Sequence, residues 1–463
     1  MRPGLDHDAI TELVTTYAEQ HHCPTVAWGV VGDGVLAATG SVGDVDEHTV
    51  YRIASMTKSF SAAATLWLRD AGVLRLDDPI GWHAPELSDV RSPTADAPPI
   101  TIRDLLSMTS GLASDDPWAD RHLDLTDEEF DALVGGGLLF AVPTGTIHEY
   151  SNFGYAVLGR VVQRASGRPI QDVVSEELLP VLGMEATTWT QPLHGDWAPP
   201  LDWRDGGFVD ELPPLADGLI APMGGIWTTV ADLARWVTWL DDAYPARDDL
   251  DDGPLSRASR REMQTVQRYV GYRTVRGIRC PSGYGYGLRV MDDPELGDVI
   301  THSGGVPGYG SNMRWVCGRR TAVIALANST YAPVTELTAR ILDLVKQQGF
   351  IPDASPPSGD HIVGTAERLV ELVNDWSDAA ADELFSDNVQ LDEAYVRRHA
   401  TAEQFAPITL ERVEVESEAS GKAHCTDAEG KQIEISFSLA PIQPPSIQEY
   451  EIKTTVPVGR ADG

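Results

Sequence analysis

The stretch that most constrains this chain is Ser55-Met56-Thr57-Lys58, set in the run Tyr51-Arg52-Ile53-Ala54-Ser55-Met56-Thr57-Lys58-Ser59-Phe60. The residues before it are apolar and β-leaning. Those after it, Ser61-Ala62-Ala63-Ala64-Thr65-Leu66-Trp67-Leu68, are rich enough in Ala and Leu to form a helix. A helix starting near Ser55 puts the hydroxyl and the Lys58 amine one turn apart on one face. Ser55 then lies at the positive end of that helix, where backbone N–H groups stabilise a developing anion. A serine hydroxyl needs a base within hydrogen-bond reach to become a nucleophile. A lysine supplies one only if burial or a neighbouring cation brings its pKa down from about 10.4 towards neutrality. Taken alone, the spacing more often describes an N-capping Ser followed by a solvated Lys. Two features favour the chemical reading: no other Ser-x-x-Lys occurs, and lysines are scarce (Lys58, Lys346, Lys422, Lys431 and Lys453).

At 463 residues the chain is long enough for a large domain and a smaller one. Its 42% hydrophobic and 23% charged residues describe a globular protein, and no apolar run reaches the eighteen or so residues of a membrane span. The net charge of −35 argues against nucleic acid and anionic membrane as partners. It also suits a salt-adapted or GC-rich source. Cys23, Cys280, Cys317 and Cys425 are far apart and form no Cys-x-x-Cys, so zinc-ribbon and thioredoxin readings fail and a reducing compartment fits. The start, Met1-Arg2-Pro3-Gly4-Leu5-Asp6-His7-Asp8, carries no export-type apolar stretch. A cytoplasmic location is therefore expected. Neither His-Glu-x-x-His nor Gly-x-Ser-x-Gly is present, which removes the main signal for zincins and α/β-hydrolases.

Taken in order, residues 8–20 show the apolar spacing of an amphipathic helix, and 25–31 and 35–40 read as a hairpin across Gly32-Asp33-Gly34. A short strand over 50–54 leads to the Ser55 turn, and the following helix is expected to end at Ala71-Gly72. Residues 99–108 read as a capped helix. The acidic segment 113–140, with its Gly135-Gly136-Gly137, reads as a loop-rich insertion over a pocket. Residues 285–290 read as a strand, and 312–316 and 321–327 as two more.

Two further places carry chemistry. In Pro143-Thr144-Gly145-Thr146-Ile147-His148-Glu149-Tyr150-Ser151-Asn152, a Pro/Gly turn delivers Tyr150 and Asn152 ahead of a helix over 156–165; the pair could point into one cleft, or equally be a satisfied Tyr and a helix-capping Asn. The phenol can shuttle a proton if a cation depresses its pKa, and the amide can hold a substrate carbonyl. In Thr301-His302-Ser303-Gly304-Gly305, dense glycines at a strand edge let a substrate backbone approach, and the N–H of Gly305 could form half of an oxyanion hole.

Ser-x-x-Lys, then Tyr-x-Asn, then His-x-Gly on a strand, in that order, resembles the penicillin-recognising serine hydrolases. That family spans class C β-lactamases, DD-peptidases, family VIII esterases and D-stereospecific aminopeptidases. The likeness covers roughly residues 8–350 and includes Thr101-Ile102-Arg103-Asp104-Leu105-Leu106 and Tyr284-Gly285-Tyr286-Gly287-Leu288. It implies an α+β fold of the β-lactamase/transpeptidase type, an antiparallel sheet flanked by helices with an all-helical half. It further implies Ser55 as acylated nucleophile, Lys58 as its base or proton relay, and Tyr150 as the group that protonates the leaving group and activates the deacylating water. Asn152 would fix the substrate amide. The N–H groups of Ser55 and Gly305 would bind the oxyanion, with His302, Ser303 and Gly304 lining the opposing strand.

One departure bears on the substrate. Classical β-lactamases place Lys where this chain has His302, and a neutral imidazole draws a carboxylate less than an ammonium does. The resemblance is therefore to the D-aminopeptidase branch. A hydrolase of esters or of small peptides and amides, D-residue ones among the candidates, is expected, with β-lactamase activity weak if present. The alternatives are a true β-lactamase or DD-peptidase, and an inactive relative that binds ligands in the same cleft. The expected partner is a small-molecule or short-peptide substrate. No metal and no cofactor is expected, and a homo-oligomer is compatible with the chain. Loops near 113–140 and 190–223 are expected to select the acyl group. The domain reading is 1–350 for the hydrolase domain, 351–360 for a Pro/Ser/Gly linker, and 361–463 for a small C-terminal domain. In that last part helices over 365–375 and 379–385 precede strands over 410–418, 432–439 and 447–454, giving a small α+β or partial-barrel domain without a catalytic constellation.

Overall fold

The computed structural model describes residues 4–192, 196–211, 216–353 and 359–455. Three sequence-based readings fall partly outside the described residues: the N-terminal stretch at 1–3, the 190–223 loop at 193–195 and 212–215, and the linker at 354–358. The chain divides into two compact units, Met1–Asp353 and Ala354–Gly463.

The first unit is built on an eight-stranded antiparallel sheet. Its spatial order is Val35–Val42, Val26–Gly32, Thr321–Ala327, Tyr309–Val316, Gly297–Val306, Arg289–Asp293, Ile278–Tyr284 and Arg268–Val275. The central strand Thr321–Ala327 is apolar from Ala322 onward because both its faces are covered. On Thr321–Ala327, Val323, Ala325 and Ala327 turn to a core formed with Ile10, Val14 and Tyr17 of the helix His7–Gln20 and Leu337 and Ile341 of the helix Val334–Gln347. Their neighbours Ala322, Ile324 and Leu326 turn to the opposite core, with Phe60, Leu66, Val157 and Trp236. Those four come from the helices Thr57–Asp70, Asn152–Ser166 and Val230–Asp241. This is the expected α+β sandwich. Among the described residues no helix is long and apolar enough to cross a membrane.

Several local expectations are corrected. The α-helix begins at Thr57, after a 3₁₀ turn over Ala54–Met56, so Ser55 sits on that turn and not on the helix itself. The strand before it is only Tyr51–Arg52, paired with Trp227–Thr228. Asn152 is not in a loop: it opens the helix Asn152–Ser166, whose N-cap is Ser151. Residues 285–288 form the turn between the strands Ile278–Tyr284 and Arg289–Asp293, with Gly287 at φ 67°. The segment 113–140 is more regular than expected. It carries the helices Asp116–Ala119 and Asp127–Gly136, the latter started by a Thr126/Glu129 capping box.

The second unit has its own core. Ile433, Ile435, Phe437 and Leu439, alternate residues of Gln432–Leu439, pack with Ile362, Ala366 and Leu369 of the helix Asp360–Asn374. Its four strands, Ile408–Ser417, Ser420–Asp427, Gln432–Leu439 and Ile447–Thr454, pair in sequence order as an open antiparallel meander, so the α+β alternative holds and the sheet does not close into a barrel. The helices Asp387–Asp392 and Tyr395–Phe405 and the strand Ser420–Asp427 escaped the sequence reading.

Candidate active site

The turn bearing Ser55 is clamped by main chain on both sides. The Ile53 amide donates to the Ile226 carbonyl at 3.0 Å, and the Ile53 carbonyl accepts from Ser311 Oγ at 2.7 Å. Ala54 then takes the left-handed region at φ 48°, a strained setting for a residue with a Cβ. The strand Gly297–Val306 comes so close that a Cβ on Gly304 would lie 2.0 Å from the Ile53 carbonyl oxygen. Likewise a Cβ on Gly287 would lie 2.4 Å from the carbonyl oxygen of Lys58. Both glycines are what lets two backbone segments close on the Ser-x-x-Lys turn.

Lys58 is fully buried, and its Nζ donates to three acceptors: Ser55 Oγ at 2.9 Å, Asn152 Oδ1 at 2.7 Å and the Met223 carbonyl at 2.8 Å. Burial brings its pKa down to about 8, against the opposing pull of Asp116, Asp120 and Asp115. Once neutral, the amine keeps two N–H bonds for the amide and carbonyl oxygens. Its lone pair is then aimed at Ser55 Oγ, the geometry a general base requires. Asn152 is itself oriented: its Nδ2 donates to Asp116 Oδ1 at 2.6 Å, while Asp115 accepts from the backbone amides of Asn152 and Phe153 at 2.7 and 2.8 Å. Asp115 thus caps the helix Asn152–Ser166 and fixes where its first side chain points.

Tyr150 is hydrogen-bonded to Ser55, and Lys58 Nζ lies 5.0 Å from the centre of its ring. Burial pushes this phenol well above its ordinary value, and the bond to Ser55 only partly offsets that. The condition of a cation-depressed pKa is not met, and Tyr150 is a phenol that can donate a proton. His302 is held neutral, its pKa driven down to about 3 by burial and then by the nearby Lys58. Its Nδ1 faces the Ser303 carbonyl at 2.7 Å and its Nε2 faces Tyr284 Oη at 3.0 Å. The carbonyl can only accept, so Nδ1 carries the proton and Nε2 accepts from the phenol.

The strand Arg289–Asp293 pairs with Gly297–Val306 only as far as Thr301, whereas Tyr309–Val316 pairs with it through Val306. From His302 onward one edge of the strand is therefore open, and it borders a cleft of about 600 Å³ lined by Ser55, Tyr150, His302, Ser303 and Gly305. Gly304 points the other way, onto the Ser55 turn. Lys58 and Asn152 lie behind that wall. All the residues expected in the site thus converge on one place. Sequence reasoning missed the Met223 carbonyl, a backbone acceptor with no sequence signature. It also missed Asp116, Asp120, Arg273, Arg289 and Tyr331 on the cleft wall. The signal for the aspartates was the acidic character of 113–140. Among the described residues no group of three or more His, Cys, Asp and Glu is arranged to hold a metal ion.

Comparison with known proteins places this geometry. The β-lactamase family model matches residues 10–347, and the chain belongs to that β-lactamase-related family of serine hydrolases. The D-alanyl-D-alanine-carboxypeptidase/endopeptidase AmpH of Escherichia coli K12 is 31% identical over 372 residues, 75% of this chain and 91% of that one. Esterase EstB of Burkholderia gladioli is 30% identical over 347 residues, covering 65% and 82%. Among solved structures, the octameric penicillin-binding protein homologue from Pyrococcus abyssi superposes with a TM-score of 0.64 at 20% identity, covering 97% of this chain and all of that one. That last likeness is one of fold.

Proposed function

We propose that this chain hydrolyses esters or small peptides and amides, including D-residue ones, through an acyl-enzyme on Ser55. The observation that carries the reading is the arrangement of Lys58 Nζ: two fixed acceptors consume two directions and the third meets Ser55 Oγ. The neutral amine takes the hydroxyl proton as Oγ bonds to the substrate carbonyl carbon. The Ser55 and Gly305 amides hold the resulting oxyanion. Tyr150 gives its proton to the departing alcohol or amine, and the carbon–oxygen or carbon–nitrogen bond breaks. Tyr150 is reprotonated by way of Lys58. Water then attacks the ester, loses a proton to the Tyr150–Lys58 pair, and releases the acid with Ser55 restored. Asn152 steers Lys58, and because it is fully buried the substrate amide is left to the groups that line the cleft.

Intact-mass spectrometry after a fluorophosphonate tests the nucleophile. One adduct on the native chain and none on Ser55→Ala is expected; no adduct, or equal labelling of both, would leave the ligand-binding alternative standing. A panel of p-nitrophenyl esters, D- and L-aminoacyl anilides and nitrocefin separates the enzyme readings, with nitrocefin expected to be the poorest. Nitrocefin as the best substrate would favour a true β-lactamase.

A further inference from the structure

The cleft is lined by charged groups of both signs, and no proton transfer at Ser55 passes directly through Arg289, Arg273, Asp116 or Asp120. One group gathers around the Tyr284 ring. His148 lies 5.4 Å and Tyr150 6.4 Å from it, ring centre to ring centre, and the Arg289 guanidinium lies 6.0 Å from the same centre. Arg289 Nη1 is buried with no hydrogen-bond partner among the described residues, and neither Arg289 nor Arg273 beside it has a carboxylate partner there. The chain has 70 acidic and 35 basic residues, so carboxylates are in twofold excess. Two arginines left without one in the cleft of Ser55 mark a place where an anion is meant to arrive, since an orphaned buried guanidinium N–H is costly. The cleft also carries Asp116 and Asp120. Asp116 bonds the Asn152 amide at 2.6 Å, and Asp120 accepts from Tyr331 Oη at 2.8 Å. The Tyr331 ring in turn lies against Gly305, where a Cβ would be 3.0 Å from it.

Arg289 shares the Tyr284 neighbourhood with Tyr150, the donor to the leaving group, whereas Asp116 is bonded to Asn152 and Asp120 to Tyr331, whose ring lies beside Gly305. We propose that the cleft is shaped for zwitterionic dipeptides: the ammonium of the first residue meets Asp116 and Asp120, the carboxylate of the second meets Arg289 and Arg273, and the peptide carbonyl falls at Ser55. Water adds across the single peptide bond, the carbon–nitrogen bond breaks, and two free amino acids leave. A cleft of about 600 Å³ accommodates a substrate of this size. The inference rests on Ser55 being the nucleophile.

The test compares kcat/KM for one dipeptide core in four forms: free, N-acetylated, C-amidated, and blocked at both ends, each as the D,D and L,L isomer. The free form is expected to exceed each singly blocked form by about tenfold to a hundredfold, the range of a charge-assisted hydrogen bond. In Arg289→Gln the penalty for C-amidation should shrink towards unity while the N-acetyl penalty persists; Asp120→Asn should do the reverse. Circular dichroism and fluorophosphonate labelling check that each variant is folded with a reactive Ser55. Should the native protein label at Ser55 yet hydrolyse the doubly blocked form as well as the free one, the dipeptide proposal fails alone. If Ser55 does not label, both it and the nucleophile reading fall.

Discussion

Lys58 has the setting that the proposed base requires. Complete burial lowers its pKa, two fixed acceptors orient it, and the nearby aspartates keep the shift from going further. The sign is direct: the amine is neutral, and able to accept a proton, above about pH 8, and charged below it. The acylation rate should therefore fall about tenfold per pH unit below that value and level off above it, as read by stopped-flow release of p-nitrophenol. A flat profile through this range would assign the base elsewhere. That Ser55, Lys58, Tyr150, Asn152 and His302 gather in one place was legible because three short motifs stand in one order. The states of Tyr150 and His302 were not. Their protonation depends on burial and on neighbours brought up by the fold, Tyr284 for Tyr150 and Lys58 for His302, an effect no motif states. That neighbourhood sets a further outcome. His302→Lys would bury an ammonium against a phenol and near Lys58, so it should not raise nitrocefin turnover; the double change with Tyr284→Ser should exceed the single one. Equal rates for the single and double variants would contradict this.

Among the elements, the tightest joint is main chain on main chain where Gly304 and Gly287 meet the Ser-x-x-Lys turn. Gly304→Ala forces its Cβ into the Ile53 carbonyl. It should cost about 1–3 kcal/mol in denaturant unfolding, as overpacking does. By displacing the Ser55 turn it should also cost on the order of 100-fold in kcat/KM. Gly364→Ala is the control: the position lies within the helix Asp360–Asn374 with nothing within 4 Å of its Cβ, so it should stabilise by about 0.5–1 kcal/mol. Equal effects of the two substitutions would show that the close approach is unimportant. Long periodic elements such as His7–Gln20 and Thr57–Asp70 could be read from pattern alone. The two glycine-rich segments that flank the site were harder to separate. Residues 285–288 read as extended yet turn, because Gly287 takes a positive φ and bends the chain towards Lys58. Residues 301–305 are as dense in glycine yet stay within a strand, where Gly304 must be bare to pass the Ile53 carbonyl. Such choices are made by tertiary contact, which a local pattern does not contain.

For the whole molecule, a net charge of −35 means the native state carries considerable self-repulsion. Screening shortens from roughly 30 Å at 0.01 M salt to about 3 Å at 1 M. The thermal midpoint should accordingly rise with sodium chloride across that range in differential scanning calorimetry; a midpoint that falls would mean that ion pairs, not repulsion, dominate. The architecture has another outcome, this one for synthesis on the ribosome. The strand Val26–Gly32 hydrogen-bonds to Thr321–Ala327, with Gly32 opposite Thr321. The N-terminal hairpin must therefore wait for roughly 300 residues of later chain, which at about 5–20 residues per second takes on the order of 15–60 s. Through that interval its apolar face has no sheet to join, and it falls to a chaperone or to transient local burial to shield it. The meander that follows pairs each strand with the next, so it can zip up as it emerges. The meander is thus the part of this chain that has least to wait for.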